Sequence, residues 1–249
     1  MAALHIDVLT LFPSYFQGPL EESLLKKARE KRLLEVAVHD LRDYTHDRHK
    51  TADDKPFGGG PGMVMKPEPV FECVEAIQDK GAAKGWVILL DAKGESFSQK
   101  MARSLADKKR LILIAGHYEG IDHRVAEGLA DQIVSLGDFI TMGGEAVALC
   151  MIEAVARLVP GVVGNEASLE DESFEMGGLE YPQYTRPREY RGMKVPEVLI
   201  SGHHAEVRAW RLAKAREATR RSRPDLISGD APQDKNRNSK IDTKARAKK

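Results

Sequence analysis

Two short runs in this 249-residue chain, "WVILL" at 86–90 and "LILIA" at 111–115, are apolar at every position. A strand with one wet face alternates apolar and polar residues, so a run that is apolar throughout must be covered on both faces. Around these runs, strand-like and helix-like stretches alternate: "HIDVLTLF", "ESLLKKAREKR", "LLEVAVHDL", then "PEPVFECVEAIQDK", "WVILLD", "SFSQKMARSLADKK", and finally "LILIAG", "IDHRVAEGLA", "QIVSLGDF" and "GEAVALCMIEAVARLVP". That order predicts an α/β domain with a parallel sheet over residues 1–160, its last helix closed by Pro160 and Gly161.

Several function classes drop out at once. The longest apolar runs are far short of the roughly 18–20 residues a membrane helix needs, and the N-terminus enters a strand pattern without a basic leader. The expectation is a cytoplasmic protein with no membrane contact. Cys73 and Cys150 are too few and too far apart for a disulfide framework or a zinc site. The histidines, among them His46, His49, His117, His123, His203 and His204, show no helical i, i+4 pair with a third ligand, so no metal site is expected. The chain has no G-x-S-x-G elbow for a serine hydrolase.

The net charge of zero hides a division. Residues 1–182 carry 20 Lys and Arg against 30 Asp and Glu, whereas residues 183–249 carry 18 against 8. A basic module of this kind suits a polyanionic partner, and equally describes a solvated basic helix with a tail. Residues 161–187 lack periodicity and read as an interdomain linker or loop. Residues 188–224 read as a small helical domain, in which Val207, Trp210, Leu212, Ala213, Ala215 and Ala218 are expected near one helix face. Residues 225–249 are polar and basic and read as a disordered tail.

"FGGGPGM" at 57–63 is the densest glycine cluster. It lacks the lysine and hydroxyl residue of a phosphate loop and the third glycine of a dinucleotide fingerprint. A tight loop against a flat ligand and a plain surface turn both remain. Three further loops, "LLDAKGESFS", "IAGHYEGIDHR" and "SLGDFITMGGE", fall at the C-terminal ends of expected strands, where α/β proteins bind ligands. Together they could make a slot for a flat heterocycle, recognised largely by backbone.

Taken in order, "DDKPFGGGPGMVM", "GHYEGIDHRV", "SLGDFITMGGE", "AVARLVPGVVGNEAS", "EYPQYTRP" and "ISGHHAEVRAWR" closely resemble the bacterial tRNA (guanine-N1)-methyltransferases, over about residues 4–223. The resemblance implies an α/β fold whose parallel-sheet domain carries a deep C-terminal trefoil knot binding S-adenosylmethionine, with a small helical C-terminal domain that grips tRNA. It further implies a homodimer that methylates N1 of the guanosine immediately 3′ of the anticodon, which helps maintain the reading frame. Magnesium is implied as a further requirement, although the chain shows no dedicated cage for it.

Residue by residue, the resemblance assigns the general base to Glu172 in "SLEDESF", where the family has aspartate, with Asp171 as the alternative, and gives Arg157 the charge developing on guanine O6. The cofactor positions are Leu89, Leu90, Asp91 and Ala92 on the first loop and Gly116, Tyr118 and Glu119 on the second. On the third they are Leu136, Gly137, Asp138, Phe139, Ile140, Thr141, Gly143 and Gly144. Asp53, Gly62 and Ser168 match positions near the guanine, and Glu180, like Glu119, is a candidate for the cofactor's ammonium. The glutamate at 172 and "TMGGE", where a leucine and a small hydroxyl residue are usual, leave two alternatives. One is a tRNA-binding homologue impaired in catalysis; the other is a knotted methyltransferase for a different RNA position.

Overall fold

Five strands form one all-parallel sheet in the computed structural model, which describes residues 4–80, 84–165, 169, 172–175 and 177–228. Two compact units divide the chain, Met1–Glu166 and Ala167–Lys249. In chain order the first unit runs β1 (Leu4–Thr10), α1 (Gln17–Leu20), α2 (Ser23–Glu30), β2 (Leu34–Asp40), β3 (Asp53–Asp54), β4 (Val64–Met65) and α3 (Pro67–Lys80). It continues through β5 (Trp86–Ser96), α4 (Gln99–Ala106), β6 (Arg110–Ala115), α5 (His123–Gly128), β7 (Gln132–Ser135) and α6 (Glu145–Ala156).

The sheet order is β2-β1-β6-β5-β7, with Ile6 opposite Val36 on one side and Leu111 on the other. Alternate side chains point to opposite faces, and here both faces are dry. Leu4, Ile6, Val8, Ile88, Leu111 and Leu113 pack in one core with Leu25 and Ala28 of α2, Met101 and Leu105 of α4, and Met151, Ile152 and Val155 of α6. Leu9, Val87, Leu89, Ile112 and Ile114 pack in the other with Val70, Cys73, Val74 and Ile77 of α3 and Val125 of α5. The uniformly apolar runs are the central strands β5 and β6, as the sequence predicts. Each fully buried aliphatic side chain contributes roughly 1.5–3 kcal/mol, which fixes these helices over the strands.

One polar residue breaks this sheet interior. Asp7 on β1 is almost completely buried and accepts from His39 and from Arg110 Nε, each at 2.8 Å, with His5 at 3.3 Å. Burial alone would raise its carboxyl, but the hydrogen bonds from His39 and Arg110 and the neighbouring positive charge outweigh that and hold it below the ordinary value.

β5 runs further than the sequence suggests. Leu90 and Glu95 both stand opposite Val134 of β7, so Asp91–Gly94 are extruded from the ladder and pairing resumes at Glu95. A strand interrupted in this way re-aims the extra residues out of the sheet, here toward the C-terminal ends of β6 and β7.

In the second unit, β8 (Glu189–Tyr190) and β9 (Met193–Lys194) form a hairpin whose central residues Arg191 and Gly192 both have positive φ, 52° and 77°. Such a two-residue turn matches the twist of the strands it joins. A 3₁₀ turn at Glu197–Ile200 leads into α7 (His204–Ser222). The inward stripe of α7 is Val207, Trp210, Lys214, Ala215, Ala218 and Thr219, while Leu212 and Ala213 are exposed, contrary to the expected face. At about 100° per residue, Leu212 lies roughly 140° around the helix from Val207. Thr219 donates to Ala215 O at 2.8 Å and accepts from Leu179 N at 2.9 Å, tying the segment before the hairpin to the helix. Asp225–Ser228 closes as one further helical turn. The rest of the expected tail lies outside the described residues.

Candidate active site

The three loops expected to share a ligand do converge. They line a cavity of about 260 Å³ at the C-terminal ends of β5, β6 and β7, walled by Leu90–Lys93, Gly116–Gly120 and Leu136 with Phe139–Gly144. Backbone holds them together. Gly144 N donates to Gly116 O at 2.6 Å, and His117 bridges to Gly143. A Cβ at Gly144 would lie 2.9 Å from Ala115 Cα and Gly116 N, so only glycine lets α6 start this close to the end of β6. The Thr141 hydroxyl donates to Gly143 O at 2.7 Å. Phe139, Ile140 and Met142 stand out into solvent as an apolar lip.

Not every expected cofactor position lines the slot. The Leu89 side chain is buried in the core beneath α3, because it falls on the other face of β5 from Leu90. Gly137 and Asp138 also lie outside the lining. Leu90, Asp91, Ala92, Gly116, Tyr118, Glu119, Leu136, Phe139, Ile140, Thr141, Gly143 and Gly144 are all in it.

The glycine cluster belongs to the same neighbourhood. β3 and β4 pair Asp53 with Met65 and Asp54 with Val64, so residues 55–63 are the tip of a short hairpin. β4 in turn holds the second of these loops, with Met65 N donating to Gly120 O and Glu119 N to Met63 O, at 2.9 and 3.0 Å. Gly62 has φ +81°, and a Cβ built there would fall on the Glu119 side chain. The bareness at Gly62 thus accommodates a carboxylate of the slot wall. Gly58, Gly59 and Gly60 border open space.

Beneath the slot lies a buried group that the sequence reading missed. Glu145, the first residue of α6, is 3% exposed and accepts from the Thr10 hydroxyl at 2.8 Å. His117 Nδ1 lies 3.5 Å from the same carboxylate and has no hydrogen-bond partner among the described residues. The His117 ring packs between Phe12 and Tyr118, with centroids at 4.6 and 5.0 Å. A Cβ at Gly143 would fall on both Glu145 and His117. The available signals were an acid opening an otherwise apolar helix and a threonine ending an apolar strand.

The remaining candidates lie at the far end of α6, in the second unit, or outside the described residues. Arg157 is the C-cap of α6, half-buried, with its N–H on Glu153 O. Because α6 is a 12-residue helix that starts at the slot, Arg157 lies about 18 Å away along its axis. Glu172 is half-buried and Glu180 exposed; both belong to the second unit, where the Ser173 hydroxyl accepts from Glu180 N at 3.1 Å. Asp171 and Ser168 lie outside the described residues. Among the described residues, no cluster of His, Cys, Asp or Glu could hold a metal, and no helix is long and apolar enough to cross a membrane.

With this geometry in place, the sequence pattern of one family, tRNA (Guanine-1)-methyltransferase TrmD, matches residues 4–229. The chain belongs to this family. Similar curated members are each named tRNA (guanine-N(1)-)-methyltransferase. The one from Dehalococcoides mccartyi is 50% identical over 224 residues, 90% of each chain. That from Geobacter sulfurreducens is 51% identical over 225 residues, 90% of this chain and 91% of its own. That from Dictyoglomus turgidum is 50% identical over 224 residues. The α/β fold with a parallel central sheet, and a slot at the ends of β5, β6 and β7, are the features this family member presents at its candidate active site.

Proposed function

We propose that the protein transfers a methyl group from S-adenosylmethionine to N1 of a tRNA guanosine, the one immediately 3′ of the anticodon. The observation that carries this reading is identity of about half over nine-tenths of both chains to proteins named for that chemistry. What supports the cofactor reading is a slot where three glycine-bearing loops converge; a Cβ at Gly144 would meet the backbone of Ala115 and Gly116, and one at Gly143 the side chains of His117 and Glu145. Leu90–Ala92, Gly116, Tyr118, Leu136 and Phe139–Gly144 would hold the cofactor, with Glu119 or Glu180 toward its ammonium group. The bound sulfonium supplies an electrophilic methyl. The trefoil knot implied by the resemblance is part of this proposal.

Guanine N1 carries a proton that must leave as N1 attacks, so a positioned carboxylate is needed. Glu172 would accept that proton, with Asp171 as the alternative, while Arg157 donates to O6 as charge develops there. Asp53, Gly62 and Ser168 would surround the base, and extruding one nucleotide from a single-stranded anticodon loop is cheap. Arg157 lies about 18 Å along α6 from the start of its own slot, which favours its serving a different slot. The proposal therefore takes a homodimer in which Arg157 of one copy serves the slot of the other.

Incubation with S-adenosylmethionine and unmodified tRNA transcripts tests the reading. A transcript with guanosine after the anticodon should be methylated and one with adenosine there should not. No incorporation into the first refutes the assignment, and tRNA binding without transfer would leave a binding-only homologue. Glu172→Gln should abolish most transfer while retaining cofactor binding; if Asp171→Asn is the inactive variant instead, Asp171 is the base.

A further inference from the structure

We propose that the second unit carries its own pocket for one unpaired nucleotide of the bound RNA, lined by none of the residues that line the methyl-transfer slot. A cavity of about 380 Å³ opens between the segment at 181–188, the 3₁₀ turn at Glu197–Ile200 and α7. This lies within the roughly 300–1,000 Å³ typical of small-ligand sites. Its floor is aliphatic, from Val195, Leu199 and Val207. Its walls are aromatic: Tyr181 has the Arg211 guanidinium 4.8 Å from its ring centroid, and Tyr184, 50% exposed, leans toward Trp210 at 6.3 Å.

The rim is cationic. Arg186, Arg188 and Arg211 contribute to the lining, no carboxylate does, and none of the three forms an ion pair among the described residues. An open aromatic face beside unpaired guanidinium groups matches a base with its flanking phosphate, because bases stack irrespective of identity and arginine binds phosphate through paired N–H groups. An acidic peptide would use the arginines and leave the ring faces idle. The inference takes the RNA to be the tRNA of the reading above.

The test uses the full chain and an unmodified tRNA transcript, with binding measured at several salt concentrations. Tyr184→Ala should weaken tRNA binding between about 5- and 150-fold, the worth of one stacked base, with an unchanged slope of log K against log salt. Tyr184→Phe should restore it. Arg186→Ala should lower that slope by about one phosphate contact. Melting temperature and S-adenosylmethionine binding should stay at wild-type values in all three.

Wild-type affinity in Tyr184→Ala, or no rescue by phenylalanine, overturns the inference. So does a loss that tracks a change in sedimentation, which would make the pocket the seat of a second copy. A wild-type chain that binds tRNA without methylating it would fail the functional reading, while a Tyr184 effect on binding would still support this one.

Discussion

Replacing Thr10 by valine keeps the shape of a fully buried side chain and removes two hydrogen bonds at once. The hydroxyl donates to Glu145 at 2.8 Å and accepts from Phe12 N at 2.9 Å. A bond to a charged group contributes about 1.5–3 kcal/mol and a neutral one about 1 kcal/mol, so the loss should be roughly 2.5–4 kcal/mol. For a protein of this size that lowers the melting temperature by about 5–15 °C. Thr10→Ser keeps both bonds and gives up one methyl, at about 1 kcal/mol. Because the Glu145 carboxylate supports Gly143 and His117 on the slot wall, the valine variant should also bind S-adenosylmethionine more weakly, and the serine variant should not. Thermal melts followed by circular dichroism, paired with a cofactor titration, measure both effects. A valine variant as stable as the serine variant, with equal cofactor affinity, would refute the claim that Thr10 anchors the carboxylate.

Three other perturbations bear on different links. Gly62→Val should cost roughly 1–2 kcal/mol in backbone strain at φ +81° and displace Glu119 from the slot wall, so cofactor affinity should fall along with guanosine methylation; a loss of methylation with cofactor affinity unchanged would show that the substitution acts on the proposed contact with the base and not through Glu119. Gly144→Ala should separate α6 from the end of β6 and break the 2.6 Å bond to Gly116, destabilising the fold by about 1–3 kcal/mol and eliminating tight cofactor binding, and unchanged binding would show that the junction yields. For Asp7, the folded carboxyl titrates below its ordinary value of 3.8, so its contribution is present above that pH and is lost as pH falls through the lowered folded value. Asp7→Asn should therefore lose roughly 3–5 kcal/mol at neutral pH, a difference from wild type that shrinks below about pH 3.8; a deficit that stays constant down to pH 2 would contradict the ion-pair account.

The sheet was legible because its signal is local. "WVILL" and "LILIA" could only be strands with two dry faces, and they became β5 and β6 at the middle of a parallel sheet. What sequence could not show was the interruption of β5, since extruding Asp91–Gly94 depends on Val134 of β7 pairing twice, a non-local fact. The face of α7 was misread for a related reason. Apolar content suggested Leu212 and Ala213, but an isolated helix of alanines and arginines leaves several stripes nearly equivalent, and the choice fell to Thr219, whose hydroxyl links Ala215 and Leu179.

The site divides along the same line. Loops at strand ends are predictable from the strands, and most of the expected slot residues line one cavity; the Leu89 side chain falls on the core face through the alternation of β5, and Gly137 and Asp138 lie outside the lining. Glu145 and His117 carried no recognisable spacing, since they meet only where α6 begins against the end of β6. Arg157 is the instructive case. Its match to the family is a statement about sequence position, and position along a helix converts directly into distance: twelve residues beyond Glu145 is about 18 Å, far more than an arginine side chain can span. If both ends of α6 take part in the reaction, the proposed homodimer would have α6 present its N-terminus to one cofactor and its C-terminus to another, which makes the length of this helix a constraint on how two copies pair. Mixing an Arg157→Ala chain with a Gly144→Ala chain, each inactive alone, should then recover transfer in the heterodimers that form, and no recovery where heterodimers are present would place the reaction within a single chain and remove Arg157 from it.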